Sequence, residues 1–315
     1  MLLLICKYGG IMNNDILIKS LGYVFIIVLG YFMKKIKFFG EDEYKTLIKI
    51  LMKITLPAII VASFSTAEVD FSLIYVTLVC LGITLFYLFL GYLLSRGKDK
   101  ETQNLYMINF PGYNIGNFSL PFVSGFLGVP GIVATCMFDV GNALIVTGFS
   151  YVVATSITNT GERRNLKETL TIMLTSGPLL AYLIMVILVS LNIKLPSIVI
   201  TTATTIGGAN TFLSMFIIGL MFDIKFKKEY FLNSTIIISV RVVFSIIFAY
   251  LVYKFLPTSI EVRKAVTILV FSPLTTLAPI FTEKAGGKKE VSSFIGAMSI
   301  IISIASILLM MKFLY

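Results

Sequence analysis

With 315 residues, 57% of them hydrophobic and 13% charged, and a mean hydropathy of +0.94, the chain is no ordinary soluble domain. Such domains carry about 45–50% apolar and about 25% charged residues. The formal charge of +10 has no soluble basic domain to reside in, so it belongs to loops between membrane spans rather than to a nucleic-acid surface. The chain has no histidine, which excludes imidazole-ligated metals, Ser-His hydrolysis and histidine pH switches. Cys6, Cys80 and Cys136 show no CxxC spacing, so neither a disulfide framework nor a thiolate metal site is indicated.

Residues 1–15 read as an N-terminal tail. The apolar start Met1–Cys6 is too short for a signal sequence, and Met1 and Met12 both stand as starting methionines. Ten apolar segments follow, over 16–33, 47–65, 71–94, 105–128, 131–154, 169–190, 197–222, 231–253, 265–283 and 291–311. Each is close to the roughly 20 residues that span a bilayer as a helix. Only Val129 and Pro130 separate the fourth from the fifth, and fusing those two would place the ends of the chain on opposite sides.

Loop charges test the count. Sixteen of the 26 basic residues fall in alternate loops, including Lys34, Lys98, Arg163, Arg164, Lys225, Lys227 and Lys288, and six fall on the other side with both termini. The positive-inside rule then puts both termini outside the cytoplasm of a multi-pass protein in the cell membrane. The expected organisation is a first five-helix repeat over 16–154, a cytoplasmic linker over 155–167 and a second repeat over 168–315. An odd number of spans per half makes the halves inverted repeats.

The fourth and ninth spans are interrupted in matching places. The fourth contains Asn109, Pro111, Gly112, Asn114, Gly116, Asn117, Ser119 and Pro121; the ninth contains Pro273, Thr275, Thr276 and Pro279. Prolines remove amide donors and glycines ease unwinding, and a broken helix at membrane depth needs a protein-lined cavity. Paired interruptions of this kind mark a transporter's midplane site. The amides and hydroxyls can replace lost backbone bonds and offer donors to a substrate. The half-helix starting near Pro121 would aim its positive end at the cavity.

The run Asn114-Ile-Gly-Asn-Phe-Ser-Leu-Pro121 resembles the Asn-x-Gly-Asn-x-Gly-Leu-Pro signature of the auxin efflux carrier family. That family includes bacterial malate or malonate permease-like proteins and is related to the plant PIN carriers. Leu29-Gly30-Tyr31 and Gly219-Leu agree with it, and Ser119 departs from it where the family has glycine. The resemblance implies an all-α polytopic fold like sodium/proton antiporters, with a scaffold domain and a transport domain in which broken helices 4 and 9 cross. It also implies a substrate carboxylate at that crossing, near Asn117 to Pro121 and Pro273 to Thr276.

Ionisable residues within spans are costly and default to function. Asp139 is the acid well inside a span, with Asn142 one turn away; together they could bind a proton or sodium ion as coupling ion. The alternative pairs Asp139 with Arg241 to lock helices, and Arg241 could instead attract an anion. Asp223 is expected at an interface, Lys19, Lys49 and Lys53 to snorkel, Tyr92, Tyr230 and Tyr253 to anchor at the membrane surface, and Gly207-Gly208-Ala-Asn210 to give close helix contact.

The expected function is a secondary carrier or uniporter of small organic anions, such as malate or auxin-like acids, by an alternating-access, elevator-type motion. The rival is a sodium/proton antiporter or sodium-coupled symporter on the same scaffold. An intramembrane hydrolase lacks the second carboxylate or midspan lysine its chemistry requires, so no enzyme is expected. No cofactor is indicated beyond the coupling ion. The partners are a small carboxylate, the bilayer and, as an open possibility, a second copy in a homodimer, with no nucleic acid.

Overall fold

The computed structural model describes residues 14–40, 43–66, 71–161, 167, 171, 177–222 and 228–314. Cys6, Met12, Arg163, Arg164, Asp223, Lys225 and Lys227 lie outside these residues. The described chain is helical, without strands. Its helices are α1 (Asn14–Lys35), α2 (Glu43–Ile50), α3 (Leu56–Phe64), α4 (Ile74–Ser95), α5 (Lys100–Asn109), α6 (Leu120–Leu144) and α7 (Ser150–Thr158). After these come α8 (Gly177–Ser190), α9 (Ser197–Met221), α10 (Phe231–Phe255), α11 (Ile260–Leu269), α12 (Ala278–Lys284) and α13 (Lys289–Leu314). Six stretches of described helix are long and apolar enough to cross a membrane: Glu43–Phe64, Ile74–Ser95, Phe126–Thr158, Ser197–Met221, Lys228–Phe255 and Lys289–Leu314. Phe25, Ile198 and Leu232 are 67%, 73% and 71% exposed, which suits a surface bathed in hydrocarbon.

The narrow joint between the fourth and fifth apolar segments is a reversal. Gly128, at φ 56 and ψ −153, is non-helical within α6, a conformation open to glycine and closed to most other residues. A side-chain carbon on Gly131 would fall 2.9 Å from Cγ1 of Val123, eight residues back, where a straight helix would separate them by about 12 Å. The chain therefore doubles back at Gly128.

In a bilayer helices gain little from the hydrophobic effect against each other, so close backbone approach and polar bonds must hold them. Gly30 and Gly219 provide the approach between α1 and α9. A Cβ on Gly30 would lie 2.3 Å from the carbonyl oxygen of Phe216, and one on Gly219 would lie 2.0 Å from that of Ile27. Gly207 similarly meets the backbone of Ile59 at 2.9 Å, whereas Gly208 faces open space, so only the first of that glycine pair makes a close contact. Tyr230 is buried against Phe294 rather than set in a surface belt, while Tyr253 is exposed.

Polar bonds tie several described helix ends to one another. Asn104, midway along α5, donates to the Thr160 hydroxyl at 2.7 Å and to the Ala285 carbonyl at 3.0 Å, and its own oxygen accepts from Thr158 at 2.9 Å. Lys98 reaches Tyr106, which donates to Asn233, and Lys34 donates to the Phe222 carbonyl. The chain near Lys98, Thr158, Asn233 and Ala285 is thus joined, and the ends of α1 and α9 meet separately at Lys34 and Phe222.

Candidate functional site

Two helices of the same design lead into the site. α5 and α11 are each 10 residues long, each begin after an extended capping residue, Asp99 (φ −62, ψ 158) and Ser259 (φ −60, ψ 159), and each carry a glutamate in the first turn. At about 15 Å they reach halfway through a hydrocarbon core of roughly 30 Å. The Thr102 hydroxyl, and then its N–H, bond the Asp99 carboxylate at 2.7 and 2.9 Å and hold its pKa below the ordinary value.

Beyond these helices the chain opens at 110–114 and at 270–277, and the two openings meet. The Asn114 N–H donates to the Pro273 carbonyl at 2.9 Å, so backbone groups stripped of helical partners by the breaks satisfy each other. Gly112, at φ 84, lets the first break pass closely under Thr275, whose methyl would lie 3.1 Å from a Cβ at that position. The next half-helix starts earlier than expected, at Ile115 rather than near Pro121, through a π turn over Ile115–Ser119. Its first bonds run from Ser119 N to Asn114 O and from Leu120 N to Ile115 O, leaving the N–H groups of Ile115 to Phe118 without intrahelical acceptors. Pro121, buried at the start of α6, needs no donor there.

Arg241 of α10 braces the crossing. Its guanidinium is buried, donates to the carbonyls of Phe110, Gly112 and Ser272, and stacks 5.0 and 4.7 Å from the ring centres of Tyr87 and Tyr113. Arg241 is therefore not the ion-pair partner of Asp139. That carboxylate accepts from the Asn142 amide at 3.2 Å. Asn142 in turn clamps the first break, accepting from Tyr113 N at 2.9 Å and donating to Tyr113 O at 2.8 Å.

Ser119, the departure from the family signature, donates to the Ser272 hydroxyl at 2.5 Å, and Ser272 donates to Leu269 O. The hydroxyl that replaces glycine thus bonds one break to the other. Ser272 and Ser299, whose oxygen accepts from Leu274 N at 3.1 Å, were not singled out in the sequence. Serines on apolar helices are common, and only the crossing reveals these two as partners. Thr275 accepts from Leu277 N at 3.3 Å, and Thr276 is half-buried in the turn before α12. Asn109 is not free for a ligand. Its amide donates to Leu105 O and to Thr282, and its oxygen accepts from Ser292, so it staples α5 to α12 and α13.

Asn117 behaves differently: its side-chain oxygen is buried without a hydrogen-bond partner. α9 packs on the same π turn and brings Asn210 and Ser214, both 0% exposed, whose Nδ2 and Oγ also lack partners. Thr55, on the π turn between α2 and α3, donates to the Asn210 oxygen at 3.1 Å. Buried polar atoms are nearly always bonded, and these three, carried on two adjoining elements, are not. A cavity of about 330 Å³ near Asp99, Glu101 and Glu229 carries too many carboxylates for an anion site. The cleft of about 20 Å³ beside Arg241, edged by Ser245, Ser272, Ser299 and Ser303, has room for about one water.

Membrane-length apolar helices, together with two interrupted segments that cross and collect buried polar groups, define a polytopic membrane transporter. Residues 16–311 match the family described as membrane transport protein, the auxin efflux carrier family, and the chain belongs to it. It is also similar to a protein of Methanothermobacter thermautotrophicus named as an uncharacterized transporter, with 22% identity over 231 residues, 71% of this chain and 74% of that protein.

Proposed function

We propose that the protein is a secondary carrier of small organic anions, with the substrate carboxylate held where the two breaks cross. The observation that carries this reading is Arg241: a buried guanidinium bonded to three neutral carbonyls leaves a positive field at the crossing. The N–H groups opening the half-helix at Ile115 add to that field. The Asn210 amide and the Ser214 hydroxyl would donate to the remaining oxygens of a mono- or dicarboxylate such as malate or an auxin-like acid, and the Asn117 oxygen would accept from a hydroxyl or N–H of the substrate.

In this reading ten spans form two inverted repeats, the face bearing the basic loops is cytoplasmic, and both termini lie outside. The shared design of α5 and α11 supports the repeat. Alternating access would move the crossed segments against α1, α3 and α9. A monoanion leaving without a cation could be driven by the membrane potential, which supplies about 2.3 kcal/mol per charge per 100 mV, whereas uptake needs a coupled cation.

A screen of radiolabelled carboxylates in proteoliposomes tests the class. Asn117→Ala and Thr276→Ala should each weaken binding of the transported acid about ten- to a hundred-fold at unchanged thermal stability, as loss of a donor to a charged group costs roughly 1.5–3 kcal/mol. Wild-type affinity in both variants would remove the crossing as the site.

A further inference from the structure

We infer that Asp139 is the proton-binding group of this carrier, and that Asn142 passes its charge state to the first break. The inference rests on the carrier reading and adds its coupling ion. The geometry is a three-part chain. Asn142 spends its oxygen on Tyr113 N at 2.9 Å, one amide hydrogen on Tyr113 O at 2.8 Å and the other on the Asp139 carboxylate at 3.2 Å. Both backbone polar groups of Tyr113 are therefore held by an amide whose third bond ends on an acid. An ionised carboxylate accepts only, so the amide meets Asp139 through its nitrogen. A protonated one accepts more weakly, so the bond from Asn142 slackens and the amide's hold on the backbone of Tyr113 changes strength while its orientation, set by the two Tyr113 bonds, stays the same. Tyr113 stands directly before Asn114, whose N–H ties the first break to Pro273.

The surroundings favour a proton over a metal cation. α6 packs against α3, α4, α8, α9 and α11. α3 and α9 carry no titratable side chain. α4 brings Cys80, α8 brings Tyr182, and Cys136 lies on the helix of Asp139 itself, all within electrostatic reach of the carboxylate. The other titratable groups of α4 are Tyr75, Tyr87 and Tyr92, and Tyr87 bonds to the Arg241 carbonyl and to Ser245. Glu261, Arg263 and Lys264 stand at the start of α11, and Arg241 is committed to carbonyls. Hard cations such as sodium prefer a shell of oxygen ligands, whereas two thiols and a phenol offer little to one. Gly141 presses α6 onto the Thr77 carbonyl and Cys80, and Thr77 donates to Met137 O at 2.8 Å, leaving that side of Asp139 little room for a hydrated ion.

The step is a reversible protonation. A carboxylate oxygen takes a proton from water on one side and returns it on the other, so a monocarboxylate and its proton cross together without net charge.

Two measurements on the full-length protein test this. Infrared difference spectra of the purified protein between acidic and alkaline buffer should show a carboxylic C=O band that is lost in Asp139→Asn; an unchanged band in the variant overturns the inference. In proteoliposomes given labelled malate, malonate or indole-3-acetate, a pH gradient without sodium should drive accumulation by the wild type. Asp139→Asn should lose accumulation and keep exchange, and Asp139→Glu should restore accumulation. Undiminished accumulation in Asp139→Asn, or a requirement for sodium, overturns the inference while leaving the anion site standing. If Asp139→Asn does not fold, proton uptake accompanying the acid, read by a trapped dye in wild-type vesicles, decides: uptake supports the proton and its absence refutes it. Failure of every acid to cross would instead sink the carrier reading, and the infrared band would still report whether Asp139 binds a proton.

Discussion

Replacing Arg241 separates the two things its guanidinium does. A carboxylate bound within about 6 Å of the guanidinium would, at an effective dielectric of about 20, gain about 3 kcal/mol, or about a hundredfold in affinity. Arg241→Gln removes that attraction, and Arg241→Lys keeps the charge while losing the planar fork that reaches the carbonyls of Phe110, Gly112 and Ser272. Each charged bond lost costs roughly 1.5–3 kcal/mol, and relief of a buried charge offsets part of that, so both variants should melt below the wild type. Their affinities should part: Lys within a few-fold of the wild type, Gln about a hundredfold weaker. The assay is equilibrium binding of the acid returned by the transport screen to detergent-purified variants, below their melting temperatures and at low and high salt. Equal affinity in folded Lys and Gln variants would show that the buried cation does not select the anion and would refute the electrostatic argument.

Gly30→Ala places a methyl 2.3 Å from the Phe216 carbonyl; overpacking by about 1–3 kcal/mol should lower the melting temperature, whereas Gly208→Ala, in open space, should not. Asp99→Ala removes a helix cap worth about 1 kcal/mol. Because the folded carboxyl is held below its ordinary value, the cap's contribution is present above the unfolded pKa and disappears as pH falls through the folded one. The variant should therefore match the wild type in thermal melts in strong acid and fall below it at neutral pH. Single cysteines at Lys98 and Lys194, in a background lacking native cysteines, should react with impermeant reagents from opposite faces; labelling from the same face would overturn the proposed topology.

Much of the architecture was legible in order. Hydropathy fixes which stretches can lie in lipid, since an unpaired backbone group there costs several kcal/mol and helices are the local remedy. Prolines and glycines fix where those helices fail, and the openings at 110–114 and 270–277 lie inside the two stretches read as interrupted. Gly30, Gly219 and Gly207 were visible as small residues, though their backbone partners were not. Where the half-helix begins was misread: it starts in a π turn at Ile115–Ser119 that packs against α9 and lies close to Leu56, contacts that local sequence does not display.

What tertiary structure alone decided is which polar groups find partners. Local sequence cannot distinguish Asn109 from Asn117, yet Asn109 spends its donors on Leu105 and Thr282 while the Asn117 oxygen remains unpaired. Nor can it say that Arg241 serves the carbonyls of two breaks rather than Asp139, because those carbonyls come from segments 131, 129 and 31 residues away along the chain. Helix formation is a near-neighbour property, encoded within a few turns. A buried hydrogen bond depends on which segments the whole bundle brings within about 3 Å, and that is settled only when every span has found its place.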